Sequence, residues 1–172
     1  MTDPAMKRPR ARDLGVPFEG QPGPNNTFTD VAGIRVGHVT LISGDTARPE
    51  AGPVVRAGVT AVLAGKEGAA SCVFAGGFVL NGTGEFTGWH LIEELGILAG
   101  PVVLTDTYSV GAAHEGVLKW SLERFGEAGL SARALPVVAE TWGGVLNDVG
   151  AFPVRPEHIA QALDRVASGP VE

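Results

Sequence analysis

The sequence predicts an α/β fold. Apolar runs of strand length, rich in valine, are followed by segments whose apolar residues recur at helical spacing. Gly 25 and Pro 12 both stand above ordinary usage, so short elements joined by many turns fit better than a helical bundle. The chain has 172 residues, 44% hydrophobic and 19% charged, which is globular composition and enough chain for one domain with a substantial core.

Residues 1–28 are expected to form an irregular arm, because Pro4, Pro9, Pro17, Pro22 and Pro24 interrupt any regular element. Residues 29–172 are expected to form part of a single domain. Val31 to Leu41 alternates, with Ile34, Val36, His38 and Thr40 on one side and Val39 and Leu41 on the other. One or two strands are predicted there, with Gly33 and Gly37 as bends or bulges. A polar loop over 43–53 leads to a second strand region, Val54 to Leu63. Arg56 lies inside that run. It is read either as an edge residue with its charge in water or as a side chain pointing into a polar pocket. A turn is expected at Gly65 to Gly68, and a third strand region over 72–80.

The turn Asn81-Gly82-Thr83-Gly84-Glu85-Phe86-Thr87 follows, then a helix over 88–95 with Thr87 as N-cap and Gly96 at its end. Ile97 to Gly100 reads as a connection. Pro101 to Leu104 reads as a core strand ending in Thr105-Asp106-Thr107-Tyr108-Ser109. Ala113, Val117, Trp120 and Phe125 mark a helix over 112–125, in which Gly116 leaves room for close packing. A loop over 126–134 separates it from a buried strand, Pro136 to Glu140. The last helix starts at Pro156 and turns Ile159, Ala160, Leu163 and Val166 inward.

Charge and residue counts remove several function classes. Lys+Arg 13 against Asp+Glu 19 gives a net charge of −6, which offers nucleic acid no general attraction. Lys7, Arg8, Arg10 and Arg12 make the start basic, but no apolar segment of a secretory signal follows. No apolar run approaches membrane-spanning length, so no membrane partner and a cytoplasmic location are expected. Cys72 is the only cysteine, so no internal disulfide forms; a buried, inert thiol is expected there. His38, His90, His114 and His158 lie far apart without metal-ligand spacing, so neither metal nor cofactor is expected. The glycines of 82–88 fit neither a P-loop nor G-x-G-x-x-G.

Three polar clusters end the apolar strands: Asn81 to Thr87, Thr105 to Ser109 and Glu140 to Asp148. Converging strand ends are expected to bring Asn81, Glu85, Tyr108, Ser109, Glu140, Asn147 and Asp148 toward one cleft. Asparagine amides and a tyrosine hydroxyl can stabilise an oxyanion, and carboxylates can hold an amine. The ordinary readings stand beside these. Asn147 and Asp148 make Asx-turns, Tyr108 is a packed aromatic, and Glu140 is a rim residue. No nucleophile has a convincing partner. Ser109 is outside any G-x-S-x-G elbow, and a pair with His114 is a weak candidate.

Longer ordered matches now carry weight. Thr29-Asp30-Val31-Ala32-Gly33-Ile34-Arg35-Val36-Gly37-His38 resembles the opening signature of the P1 (S58-type) family of peptidases, the L-aminopeptidase/D-esterase and β-peptidyl aminopeptidase family. Val55 to Thr60, Leu80 to Glu85, Thr105 to Gly111, Ala139 to Trp142 and Leu146 to Asp148 extend the resemblance. It implies an αββα layered sandwich similar to self-processing N-terminal-nucleophile hydrolases, incomplete in this chain. It also implies cleavage of a precursor before a serine, which then attacks small peptides, amides or esters bearing a free amine. By that resemblance Asn147 and Tyr108 are the catalytic candidates on the oxyanion side; Asn81, Glu85 and Glu140, read above as converging on the same cleft, are the substrate-binding candidates. The nucleophile-bearing segment of the family is expected to be missing here, so the chain alone should be inactive. Unpaired edges and apolar faces should make it associate with itself or with that second segment. A non-catalytic binding or remnant subunit is the alternative, and an acyl transferase of ornithine-acetyltransferase type the weaker one.

Overall fold

The computed structural model describes residues 9–65, 72–130 and 135–171. Lys7 and Arg8, most of the turn expected at 65–68 and residues 131–134 of the expected loop lie outside them.

A four-stranded sheet dominates. β1 (Ile34–Ser43) and β2 (Val55–Ala64) pair antiparallel along their full length, from Ile34↔Ala64 to Ser43↔Val55. A two-residue strand β3 (Val73–Phe74) and helix α1 (Trp89–Leu95) precede β4 (Ile97–Leu98), which pairs with β3 as a separate ribbon. β5 (Val102–Asp106) joins the other long edge of β2, antiparallel. Helix α2 (Val110–Phe125) then carries the chain over the sheet to β6 (Val137–Thr141), parallel to β5. A parallel pair needs such a crossover, and α2 supplies it. The sheet order is β1-β2-β5-β6, and helix α3 (Pro156–Asp164) closes the same face.

Alternation along the strands explains the layering. Val39, Val59, Ala61, Leu63, Val103 and Val138 point to one face and meet Val110, Ala113, Val117 and Trp120 of α2 and Ile159, Ala162 and Leu163 of α3. The opposite face mixes exposed apolar groups such as Ile42 and Leu104 with polar ones, including His38 and Thr60, whose Nδ1 and Oγ1 lie 2.9 Å apart. Trp120 is buried and donates its indole N–H to the Asp164 carboxylate at 2.9 Å, joining α2 to α3. Trp120→Phe removes that bond and leaves part of the buried indole's space unfilled. It should cost about 1–2 kcal/mol, read as a lower urea midpoint with an unchanged slope.

Two glycines are there for space. A Cβ on Gly116 would meet Ile159 Cβ and the Pro156 carbonyl, each at 2.8 Å, so the α2–α3 crossing requires its absence, in line with the close packing expected there. Gly37 is no bulge: it pairs in register with Ala61, and a Cβ there would lie 2.0 Å from the Ala162 carbonyl. After α3 the chain returns to β1, where Val36 and Ala167 exchange both backbone hydrogen bonds. The Thr29 hydroxyl donates to the Gly169 carbonyl beside that bridge.

Several expectations are corrected. The strand expected over 72–80 shrinks to β3, because Gly76 and Gly77 follow it and the Gly77 backbone lies against the Trp89 ring. Cys72 is exposed, not buried. Ile97 and Leu98 pair as a strand. Thr87 does not cap α1: Gly88, at φ 70°, occupies that position. The Thr87 hydroxyl instead donates to the Pro136 carbonyl at 2.7 Å and accepts from the Val138 amide at 3.0 Å, stitching the 81–87 turn to β6. Gly96, at φ 65°, ends α1 as expected. α2 begins at Val110, two residues early.

Within the described part of the expected arm, Arg10 donates to the carbonyls of Asn25 and Asn26 at 2.8 and 2.7 Å. Asp30 accepts from the Asn25 backbone and side-chain amides. Partial burial opposes ionisation of Asp30, but the donors from Asn25 and Thr27 prevail and hold its carboxyl below the usual range.

Candidate active site

β5 and β6 finish at the same end of the sheet at which β2 begins, so the polar clusters of 105–109 and 140–148 gather there. Asp106 organises the first. Its carboxylate accepts from the Tyr108 amide at 3.1 Å and from the Ser109 hydroxyl at 2.5 Å, which fixes the turn into α2. Ser109 is buried and its hydroxyl is thereby engaged. The weak Ser109–His114 pairing is corrected: His114 Nδ1 is buried and has no hydrogen-bond partner among the described residues.

The second cluster is a loop sewn onto β2. The amides of Leu146 and Asn147 both donate to the Gly143 carbonyl at 3.0 Å, and the Asp148 amide donates to the Val54 carbonyl at 2.8 Å. These bonds place Asn147, only 6% exposed, against the start of β2. Its Oδ1 accepts from the Arg56 amide at 3.0 Å. Its Nδ2 is buried without a hydrogen-bond partner among the described residues. An amide fixed through its oxygen with its N–H groups unspent is a preorganised donor. The Asx-turn reading holds for Asp148, which accepts from the Gly150 amide at 3.1 Å, and fails for Asn147.

Three hollows mark this end of the molecule. Asn147 lines a cavity of about 340 Å³ together with His38, Thr60, Thr105, Asp106 and Thr141. Arg56 and Asn147 also line an adjoining groove of about 620 Å³, whose apolar part is Pro49, Pro53, Val54, Val145 and Leu146. The third, about 550 Å³, lies beside β6 and is lined by Asn81, Glu85, Glu140, Phe78, Phe86 and Trp89. One oxygen of Glu140 accepts from the Thr107 hydroxyl. The other lies so close over Gly84 that a Cβ there would sit at 2.6 Å from it. Asn81 turns its Oδ1 back to the Thr83 amide at 2.8 Å.

The single cleft expected from the sequence is therefore resolved into parts. Asn81, Glu85 and Glu140 share one hollow, while Asn147 lines the other two and Asp148 only the groove. Tyr108 lines none of these hollows. It is 55% exposed and packs edge-on against Trp142 with ring centroids 5.8 Å apart. Asp106 and Thr107 lie in the 105–109 cluster but are not among the expected site residues; they hold Tyr108, Ser109 and Glu140 in place. The Asp106-to-Ser109 spacing of an acidic cap is the signal that could have found the first. Arg56 takes the pocket reading: its guanidinium donates to the carbonyls of Ser43 and Val55 at 2.7 and 2.6 Å while lining two hollows.

The family model of peptidase family S58 matches residues 26–172. The chain belongs to peptidase family S58. This S58 chain is 48% identical over 167 residues to a β-peptidyl aminopeptidase BapA from Sphingosinicella xenopeptidilytica, covering 97% of the chain but 42% of that relative. The L-aminopeptidase D-Ala-esterase/amidase of Ochrobactrum anthropi, whose structure is described as a new variant among the Ntn hydrolase fold, superposes with a TM-score of 0.82 at 43% identity. That match covers 96% of this chain and 46% of the other. A β-aminopeptidase from a Burkholderia species gives 0.81 at 40% identity, covering 94% and 44%. The S58 chain thus spans less than half the length of these relatives. Its fold is α/β of the Ntn-hydrolase type, and α2 and α3 on the β1-β2-β5-β6 sheet form two adjacent layers of it.

Proposed function

We propose that this chain builds the pocket and the oxyanion side of a serine aminopeptidase that also cleaves amides and esters of small, amine-bearing substrates. The observation that carries the reading is Asn147, buried, anchored through Oδ1 and with Nδ2 unspent beside a cavity. In this reading Asn147 donates to the carbonyl oxygen as it gains charge, and Tyr108, outside the hollows, reaches the same oxygen only once the nucleophile-bearing segment completes the site. Glu85 and Glu140 attract the substrate ammonium, and Asn81 shapes the turn that presents Glu85. The serine nucleophile comes from polypeptide corresponding to the unmatched share of the relatives. Ser109 does not serve, because its hydroxyl is committed to Asp106.

The alternative, a binding subunit without chemistry, draws on the same Ser109–Asp106 bond. Among the described residues no helix is long and apolar enough to cross a membrane, and the proposed setting is the cytoplasm. Phe74, Phe78 and Leu80 are 98%, 87% and 85% exposed, which supports association with the nucleophile-bearing segment or with another copy.

The test compares the 172-residue chain with a longer product that carries it together with the nucleophile-bearing segment. Substrates are small p-nitroanilides and β-peptide amides, and intact mass reports self-cleavage. Turnover and two fragments only from the longer product are expected. Turnover by the short chain alone would sink the proposal.

A further inference from the structure

Arg56 is an unusual residue for the interior of a strand, and its surroundings give it a task. Its guanidinium carries five N–H donors. Those bound within the described residues go to main-chain carbonyls, Ser43 and Val55 from Nη1 and Gly44 from Nη2 at a long 3.4 Å. No carboxylate hydrogen-bonds to it there. Asp45 lies within electrostatic reach, but that carboxylate is bonded to the Ala47 amide and to Arg48. Three carbonyls hold the guanidinium in place without neutralising it. It stands where the Asn147 cavity opens into the groove of Pro49, Pro53, Val54 and Leu146.

Charge is thus divided across the end of the sheet. Glu85 and Glu140 lie on the β6 flank, and Arg56 lies on the β2 flank with Asn147 against it. Glu140 pairs with Thr105, and Thr60 pairs with Leu104, so Arg56 sits two strands across and about three residues along from Glu140. On ordinary sheet spacings their backbones are roughly 14 Å apart. Glu140 follows the core-facing Val138 by two residues while Arg56 shares the face of Thr60, so their side chains leave opposite faces of the sheet, and it is Asn147 that shares the Arg56 side.

We propose that Arg56 binds the free C-terminal carboxylate of a di- or tripeptide on the leaving-group side of the site, with the adjoining apolar groove taking the last side chain. This deepens the aminopeptidase reading and rests on it: the scissile carbonyl lies toward Asn147 and the carboxylate on Arg56, which line the same two hollows. A planar guanidinium with donors to spare suits a carboxylate, and a charge-assisted pair on a partly buried group discriminates strongly against a neutral amide.

The experiment uses the longer, assembled protein and three probes: glycyl-leucine, glycyl-leucinamide and N-acetyl-glycyl-leucine. KM is measured for turnover and Kd by calorimetry. Glycyl-leucine should show KM and Kd about 10- to 100-fold below those of its amide. In Arg56→Gln that acid-to-amide ratio should fall to about one, and Arg56→Lys should restore part of it. The ratio within one preparation is insensitive to the fraction folded, which matters because Arg56 also braces the β1–β2 connection. Equal constants for acid and amide in an active enzyme would overturn the Arg56 site and leave the aminopeptidase reading intact. Absence of turnover on every probe, with the acid still bound more tightly than the amide, would overturn the hydrolase reading and support the carboxylate site. N-acetyl-glycyl-leucine checks the need for a free amine: tight binding through its carboxylate without turnover fits both.

Discussion

Asn147→Asp is expected to lower kcat of the assembled enzyme by about 100- to 1000-fold, with a much smaller change in KM. The substitution separates two functions of one side chain. Asn147 Oδ1 accepts from the Arg56 amide, a bond that an aspartate oxygen can still make. Its Nδ2, buried without a hydrogen-bond partner among the described residues, is the group that aspartate lacks. The carboxylate also places negative charge where negative charge must develop. Asn147→Ala removes both functions, so it should lose activity to a similar extent and also lose about 1 kcal/mol of stability from the Arg56 amide left unpaired. Stopped assays on a p-nitroanilide, paired with thermal unfolding, separate the two. Near-normal kcat in the aspartate variant would remove Asn147 from the chemistry and return it to the role of a loop anchor.

How much of this is legible in the sequence differs by residue, for physical reasons. β1 and β2 are readable because one face is buried and the other is not, so alternation is written into the sequence. β3 is not. The run from Val73 to Leu80 is as apolar as a core strand, yet Phe74, Phe78 and Leu80 are exposed. Hydropathy cannot tell a buried face from one that awaits a partner. The polar clusters at the strand ends are legible as chemistry-bearing, since strands finishing in Asn, Asp and Glu are rarely core. Their sorting into separate hollows is not, because it depends on bonds between distant residues. Asn147 finds its partner in Arg56, 91 residues away, and Thr87 ties down the 81–87 turn through Pro136, 49 away. A local rule therefore sees two Asx-turns and is right only for Asp148. Ser109 resembles a nucleophile until the buried Asp106 beside it accounts for its hydroxyl.

Gly37→Ala should be among the most destabilising single-methyl additions in the chain, by about 3 kcal/mol, the upper end of ordinary overpacking. Gly37 is absent from the positive-φ residues, so its conformation is one that alanine adopts freely. On conformational grounds alone alanine would stabilise, by about 0.4–1 kcal/mol through a less flexible unfolded chain. Space decides the sign. The added Cβ would lie 2.0 Å from the Ala162 carbonyl oxygen and 3.0 Å from the Val166 amide nitrogen, both backbone atoms near the end of α3. A side chain could rotate away, but a helix must move as a body. Moving α3 off β1 opens the contact of Ile159, Ala162 and Leu163 with the sheet and strains the Val36–Ala167 bridge. Gly76, where an added methyl would have nothing within 4 Å, is the control. Gly76→Ala should shift the urea midpoint little, while Gly37→Ala should lower it sharply and speed hydrogen exchange at the Ala167 amide first. Equal midpoints for the two variants would mean that α3 and β1 are not in the close contact described, and the helix layer would have to be placed anew.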